Sequence, residues 1–261
     1  MLKLIKCEFG KLKRKKFVMF VIFAALLFPI PFTALALSGN IGDMSAFDGL
    51  YEMLLCIGVP IMLPCVIGII AAMLFFMERD NGTLKNLRAV PIPLWKIATA
   101  KIIVLYIWGL IFVIVTLLSS MAGGAIAGSD LGNIVEKIWI SLMTAFLYTT
   151  SILPVVIAIV GFNRSYIFSI ILTFFYTMFG FMLGFSGSFT STDPVMKLLT
   201  NIIPSPIIYR WQASMMIEET ATAYAIWKPY FLPLWIVAIT VFVIGILSYF
   251  AIIRIYQRKE R

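Results

Sequence analysis

Six long stretches of this chain carry no charged residue, and they limit the possible fold more than any other feature of the sequence. Each holds at least 25 residues, and they cover residues 17–42, 53–77, 102–129, 138–163, 165–192 and 229–253. About 20 apolar helical residues are enough to cross a bilayer, and a charge at the bilayer centre costs about 3 kcal/mol on insertion scales. We therefore predict six membrane spans, at about 17–37, 53–77, 101–124, 138–160, 165–186 and 230–253.

The composition and the unbroken runs together select the fold class. Hydrophobic residues make up 62% of the chain and charged residues only 13%, which leaves too little polar surface for a water-soluble domain. Backbone groups in lipid must pair internally, so spans are helices or closed barrels, and barrel strands are only about ten residues long. We predict an all-α membrane protein with six transmembrane helices. The run at 17–42 is too long for a secretory signal and lacks its cleavage pattern, so we expect a retained anchor.

The distribution of positive residues predicts the topology. If the spans alternate in direction, 17 of the 21 Lys and Arg residues fall on one side of the membrane, and 8 of the 12 Asp and Glu residues fall on the other. By the positive-inside rule both termini are cytoplasmic. Anionic lipid headgroups account for the basic residues beside the spans, so we expect membrane lipid as a partner and no nucleic acid. Five tryptophans are predicted to anchor at the interface: Trp95, Trp139, Trp211, Trp227 and Trp235.

Residue types that the sequence lacks exclude several kinds of chemistry. The chain has no histidine, its three cysteines show no metal-binding spacing, and no GxxxxGK[S/T] loop is present to bind nucleotide phosphates. We therefore expect no catalytic residue, no metal and no cofactor in this chain. The uncharged runs also lack the buried carboxylate that many ion-driven transporters require. An external source of energy is the simplest interpretation.

Two alternatives stay open at this point. One is a secondary transporter driven by an ion gradient. The other is a membrane enzyme, because Glu218-Glu219 is similar to the Glu-Glu-x-x-x-Arg motif of CAAX-type membrane proteases; however, Ala223 stands where that motif has Arg, and the histidines of that family are missing. Transport that is indifferent to ATP would favour the first, and peptide cleavage without nucleotide would favour the second.

Residues 1–16 are predicted to form an amphipathic helix of their own. Its apolar residues Leu2, Ile5, Phe9 and Leu12 recur at spacings of three and four, and basic residues occupy the other positions and follow it. Such a helix lies at the boundary of headgroups and acyl chains, with its basic residues on the anionic leaflet. The simpler alternative, compatible with the first, is a positive flank that only orients the first span.

The cytoplasmic segment between the second and third spans has an unusual order of residues. Thr83 can cap a new short helix, and Pro91 and Pro93 end it before Trp95 re-enters the interface. The short helix is thus held beneath the membrane, where a soluble partner can push on it. The alternative is a solvated loop whose charges only set the topology. The residues assigned to partner contact are Glu78, Gly82, Thr83, Leu84, Leu87, Pro91 and Lys96.

Prolines and glycines predict where helices bend or approach closely. Pro60 and Pro64 in the second span and Pro154 in the fourth each free a backbone carbonyl and bend the helix. The outer segment 193–228 is interrupted by prolines and then helix-like, so it either re-enters the membrane or lies on its surface. Two Gly-x-x-x-Gly pairs permit close helix contact: Gly124 with Gly128, and Gly180 with Gly184.

With these features the chain resembles the membrane subunits of ABC-2-type ATP-binding cassette transporters. The resemblance rests on Glu78, Gly82-Thr83-Leu84, Pro91 and Lys96, followed by Lys101 at the start of the third span. The basic amphipathic start, the six spans and the long last outer segment extend it over essentially the whole chain. The opening LIKCEFGKLKRKK and the size are most similar to permeases of the lantibiotic- and bacitracin-immunity type.

The resemblance implies a division of the chain and a function. Residues 1–16 would be an elbow helix, 17–261 a six-helix transmembrane domain, 80–95 a coupling helix that docks on a separate ATPase subunit, and 193–228 the outer helices that close the exit. Two permease subunits, identical or different, would join two ATPase subunits that bind ATP and magnesium. The chain would be the permease of an exporter in a bacterial plasma membrane, and no enzyme itself. Its substrate would be amphipathic, such as an antimicrobial peptide of the lantibiotic or bacitracin type.

Overall fold

A computed structural model describes residues 1–13, 30–31, 33–34, 45–80, 92–130, 132–162, 165–217 and 222–260, and these ranges contain helices and no β-strand. The helices are α1 (Leu2–Lys13), α2 (Ala46–Met53), α3 (Val59–Asp80), α4 (Leu94–Ile126), α5 (Ile134–Ser151), α6 (Leu153–Phe162), α7 (Tyr166–Phe185), α8 (Pro194–Ile202), α9 (Pro204–Met216), α10 (Thr222–Trp227) and α11 (Leu234–Glu260). A π-helical segment, Leu54–Gly58, joins α2 to α3. The predicted all-α class is confirmed for the described residues.

Five helical stretches of the described residues are long and apolar enough to cross a membrane. They are Ala46–Met77, Leu94–Ile126, Ile134–Phe162, Tyr166–Phe185 and Leu234–Arg258. They overlap the second to sixth predicted spans, and five apolar helices of this length indicate a membrane protein. The first predicted span, 17–37, lies outside the described residues apart from 30–31 and 33–34. The count of six spans and the cytoplasmic position of both termini therefore stay predictions.

Prolines interrupt two of these stretches, as the sequence predicts. Pro60 cannot donate a hydrogen bond to the carbonyl of Cys56, and the chain forms the wider turn of the π-helical segment immediately before it. In the fourth span α5 ends at Ser151 and α6 begins at Leu153, so the break lies just before Pro154. Pro64, in contrast, lies inside α3 without ending it.

The helices pack around α3 and α4. Helix α3 contacts α4, α5, α6 and α7, whereas α11 covers α4, α5 and α6 from the other side. Glycines bring the helices close together: a Cβ on Gly68 would overlap the Thr173 side chain, and one on Gly245 would lie 2.6 Å from Cγ2 of Thr150. The outward faces of α7 and α11 are apolar, with Phe175 67% and Phe242 66% exposed, as is usual for helices that face lipid.

The tryptophans do not all lie where the sequence suggested. Trp95, Trp139 and Trp235 are 41%, 55% and 65% exposed, which suits interfacial residues. Trp211 is only 1% exposed and belongs to the hydrophobic core, so its predicted role as an interfacial anchor is wrong. The physical reason is that its helix, α9, is itself enclosed by α5, α7 and α11.

Candidate functional site

Helix α1 docks on the first turns of α4. The Phe9 ring stacks on the Trp108 ring at a centroid distance of 5.3 Å and an angle of 13°. Leu12 is fully buried and Ile5 is half-buried against the core, whereas Leu2 is 82% exposed. Of the four residues assigned to the amphipathic stripe, three therefore contact protein, and Leu2 is free to reach the headgroup boundary. The docked face of α1 follows from the three- and four-residue spacing of its apolar residues.

A buried ion pair fastens α1 to the spans. The Lys101 ammonium donates hydrogen bonds to Glu8 Oε2 at 3.1 Å and to the Leu74 carbonyl oxygen at 2.6 Å. Lys101 is 0% and Glu8 3% exposed, and the Lys11 ammonium also pairs with Glu8. Three helices, α1, α3 and α4, thus meet at one ammonium group. The headgroup position expected for the basic residues beside the spans is wrong for Lys101, because docking of α1 removes it from lipid and solvent.

Most residues assigned to partner contact lie outside the described residues. Gly82, Thr83, Leu84, Leu87 and Pro91 belong to the undescribed range 81–91, so their coupling role stays a prediction. The backbone of Glu78 forms part of the last turn of α3. Lys96 lies in the first turn of α4, with its ammonium 5.5 Å from the centroid of the Trp95 ring. In the sequence this range connects α3 to α4, and the Lys101 side chain of α4 donates a hydrogen bond to the Leu74 carbonyl of α3.

At the opposite end of the bundle, α9 is inserted among the spans. Its residues from Pro204 to Ala213 are all buried. A glycine pair of α7 makes room for it, since an added Cβ on Gly180 would lie 3.0 Å from Ser205 Cβ, and one on Gly184 would lie 2.9 Å from Tyr209 Cβ. Of the two alternatives for the outer segment, the buried position of α9 favours re-entry.

A polar network links α9 to the second and fourth spans. The Tyr148 hydroxyl donates to Gln212 Oε1 at 2.9 Å, and Gln212 Nε2 donates to the carbonyl of Leu55 at 3.4 Å. Both side chains are fully buried. Leu55 lies in the π-helical segment, where the altered hydrogen-bond register leaves carbonyl groups available to other donors. The irregularity that Pro60 imposes on the second span therefore provides a binding point for α9.

Aromatic residues enclose the outer surface of α9. Phe189, Tyr209 and Ala213 form a small core beneath Trp227 and Tyr230. The Arg210 guanidinium donates to the Tyr230 carbonyl at 2.7 Å and to Asn201 Oδ1 at 3.0 Å, so it ties α9 to α8 and to the turn before α11. Burial lowers the pKa of Arg210 from its ordinary value, but a guanidinium keeps its charge at any physiological pH.

Sequence reasoning missed the polar residues that hold these contacts. Glu8 is the only acidic residue among the first 16, and this isolation among lysines was a usable signal. Gln212 was a weaker signal, because it is an uncharged amide in a segment that the sequence placed either within the membrane or on its surface. Neither partner could be named, because Glu8 and Lys101 are 93 residues apart in the chain, and Tyr148 and Gln212 are 64 apart.

Comparison with known proteins assigns the family. The family model described as ABC-2 family transporter protein matches residues 4–180, which is more than half of the chain. The match begins in α1, includes the Glu8–Lys101 pair and ends in α7 at Gly180. No curated protein matches the chain.

Proposed function

The chain belongs to the ABC-2 family of transporter proteins, and from this premise we propose that it is the membrane-spanning permease subunit of an ATP-binding cassette exporter. The observation that carries the proposal is the family match over residues 4–180. A partner ATPase subunit supplies the energy, because this sequence has no phosphate-binding loop of its own. The ATP and magnesium belong to that partner, and a second permease, identical or different, completes the transporter.

The proposed coupling segment, 80–95, has a mechanical route to the rest of the chain. It joins the end of α3 to the start of α4, and Lys101 ties these two helices to α1 through the Leu74 carbonyl and Glu8. A displacement of the segment by the ATPase therefore moves three helices together. This supports the assignment of Glu78, Gly82, Thr83, Leu84, Leu87, Pro91 and Lys96 to the ATPase contact.

The route continues to the other end of the bundle. The π-helical segment continues directly into α3, and the Leu55 carbonyl in it accepts a hydrogen bond from Gln212 of α9. Movement at the coupling segment is thus passed to the re-entrant helix along α3 and the π-helical turns that precede it. In the predicted topology α9 lies on the outer side, where an exporter releases its cargo.

The proposed cargo is an amphipathic molecule, and within that class an antimicrobial peptide that acts at the outer face of the membrane. The uncharged spans suit a cargo taken from the bilayer better than a hydrophilic solute. The similarity to lantibiotic- and bacitracin-immunity permeases motivates the finer assignment.

The ATPase contact is tested by co-purification. We expect a separate P-loop ATPase subunit to co-purify with this chain, and we expect the association to be lost when residues 82–91 are replaced by a Gly-Ser linker that keeps Lys85 and Arg88. Retaining these two charges preserves the positive-inside signal, so the loss would come from the missing helix. The matched control is the double variant Lys85→Gln/Arg88→Gln, which should still bind. A linker variant that binds as well as the natural chain would contradict the proposal.

The cargo class is tested by survival. Cells that carry the intact complex should survive nisin- or bacitracin-like peptides better than cells with Glu78→Ala, because that substitution removes a carboxylate from the proposed ATPase contact. Glu260→Ala serves as the control, since it removes an acidic residue from the C-terminal end of α11 instead. Equal survival of all three strains across a broad peptide panel would count against the peptide assignment.

A further inference from the structure

A cavity of about 370 Å³ opens at the end of the bundle where α9 is inserted. Helix α2, the start of α5 and the end of α9 form its walls. Phe47, next to Asp48 in α2, packs against Gly124 of α4, and Gly124 lies about 35 Å along α4 from Lys101 at the helical rise of 1.5 Å per residue. In the predicted topology the cavity faces the outside.

The two sides of the cavity differ in chemistry. Among the described residues that line it, Asp48, Glu52 and Glu136 contribute three carboxylates and Lys137 one ammonium. Ile140 and the two methionines at the end of α9, Met215 and Met216, supply an apolar surface beside them. Methionine side chains are flexible and adapt to ligands of varied shape. The lining is therefore complementary to a molecule with a positive charge next to an apolar group.

One part of the cavity wall already holds an ammonium group. The Lys137 ammonium pairs with Asp48 and lies 4.1 Å from the centroid of the Phe47 ring and 5.5 Å from that of Tyr51. Phe47 is fully buried, and the Tyr51 hydroxyl donates to the Lys137 carbonyl at 2.9 Å, so both rings are fixed in place. An ion pair with a carboxylate and cation–π contacts with two rings thus hold one primary ammonium group here, although Phe47 is not itself a lining residue of the cavity. We call Asp48, Phe47 and Tyr51 the ammonium cage.

We propose that this cavity is a binding site for amphipathic primary amines, at which the amine of the ligand competes with Lys137 for the ammonium cage while its apolar part contacts Met215 and Met216. Glu52 and Glu136 attract the ligand to the cavity and offset its charge. The cavity falls within the roughly 300 to 1,000 Å³ of ligand pockets, and it admits one amine-bearing side chain with an apolar neighbour. This inference rests on the proposed function. It adds that the cargo carries a positive charge and that the exporter binds it in this cavity.

Binding is tested on the purified full chain in nanodiscs of zwitterionic lipid, without ATP. The probe is dansylcadaverine, a primary amine with an aromatic group, followed by fluorescence polarisation against empty nanodiscs. We expect Glu52→Gln/Glu136→Gln to weaken binding about ten-fold, because two attracting charges are lost. Lys137→Gln should tighten binding by a factor on the order of ten, because it removes the competing ammonium. The neutral N-acetyl derivative of the probe should bind weakly to every variant.

The matched control is Asp193→Asn. It removes one carboxylate from the same end of the bundle, and asparagine still caps α8 as Asp193 does, so the affinity should not change. Unchanged affinity in both cavity variants, or equal binding of the acetylated probe, would overturn the proposal. If the double variant does not fold, Lys137→Gln decides, because it predicts the opposite sign. If no ATPase co-purifies with the natural chain while the probe still binds, the proposed function alone is contradicted.

Discussion

Glu8→Leu is expected to destabilise the protein by about 3 kcal/mol, because it removes a buried carboxylate to which the Lys101 ammonium donates a hydrogen bond. Lys101 is 0% exposed, so solvent cannot replace the lost charge. The double variant Glu8→Leu/Lys101→Met should recover most of the lost stability, since exchanging both partners of a buried ion pair for apolar residues is often neutral. The natural pair is therefore expected to secure the position of α1 more than to add net stability.

The measurement is unfolding in mixed micelles, followed by tryptophan fluorescence. Trp108 stacks on Phe9 of α1, so its emission reports whether this helix is docked. Lys6→Leu is the matched control, because Lys6 is an exposed residue of the same helix. Equal stability of Glu8→Leu and Lys6→Leu, or a double variant no better than Glu8→Leu, would show that the ion pair does not hold α1.

Gly184→Leu is expected to displace α9 from the bundle. An added Cβ would lie 2.9 Å from Tyr209 Cβ and 3.5 Å from the backbone Cα of Pro206, so the larger leucine cannot fit without moving the helix. Overpacking of this kind costs about 1 to 3 kcal/mol. If that cost falls on the docking of α9, its opening equilibrium shifts roughly 5- to 150-fold.

Cys56 reports this opening. Its sulfur lies 3.1 Å from the Met216 sulfur at the end of α9, so it becomes accessible when the helix leaves. With Cys7→Ser and Cys65→Ala as background, Cys56 is the only thiol in the chain, and maleimide labelling of it should accelerate by the same factor. Gly161→Leu is the control, because no described atom lies within 4 Å of a Cβ at that position. Equal labelling rates in the two variants would disprove the docking role of the glycine pair.

Local features of the structure could be predicted from the sequence, whereas contacts between distant residues could not. Five spans and the breaks before Pro60 and Pro154 follow from local properties of the chain, since apolar runs and missing N–H groups act on the nearest turns. The Glu8–Lys101 pair and the Gln212 network do not follow from local properties, because they join residues of different helices that lie far apart in the sequence. The predicted interfacial position of Trp211 was wrong for the same reason, because the sequence around Trp211 does not reveal which helices enclose it.

The apolar runs by themselves determined that this chain enters a membrane as helices, because unpaired backbone groups and charges are too costly in hydrocarbon for any other arrangement. The residues between the second and third spans suggested the family. Only the tertiary structure decided what α1 docks on, where α9 inserts and which groups line the cavity at that end of the bundle. These features depend on a few polar side chains and glycines. The effect of each depends on which groups the fold brings within hydrogen-bond or van der Waals distance.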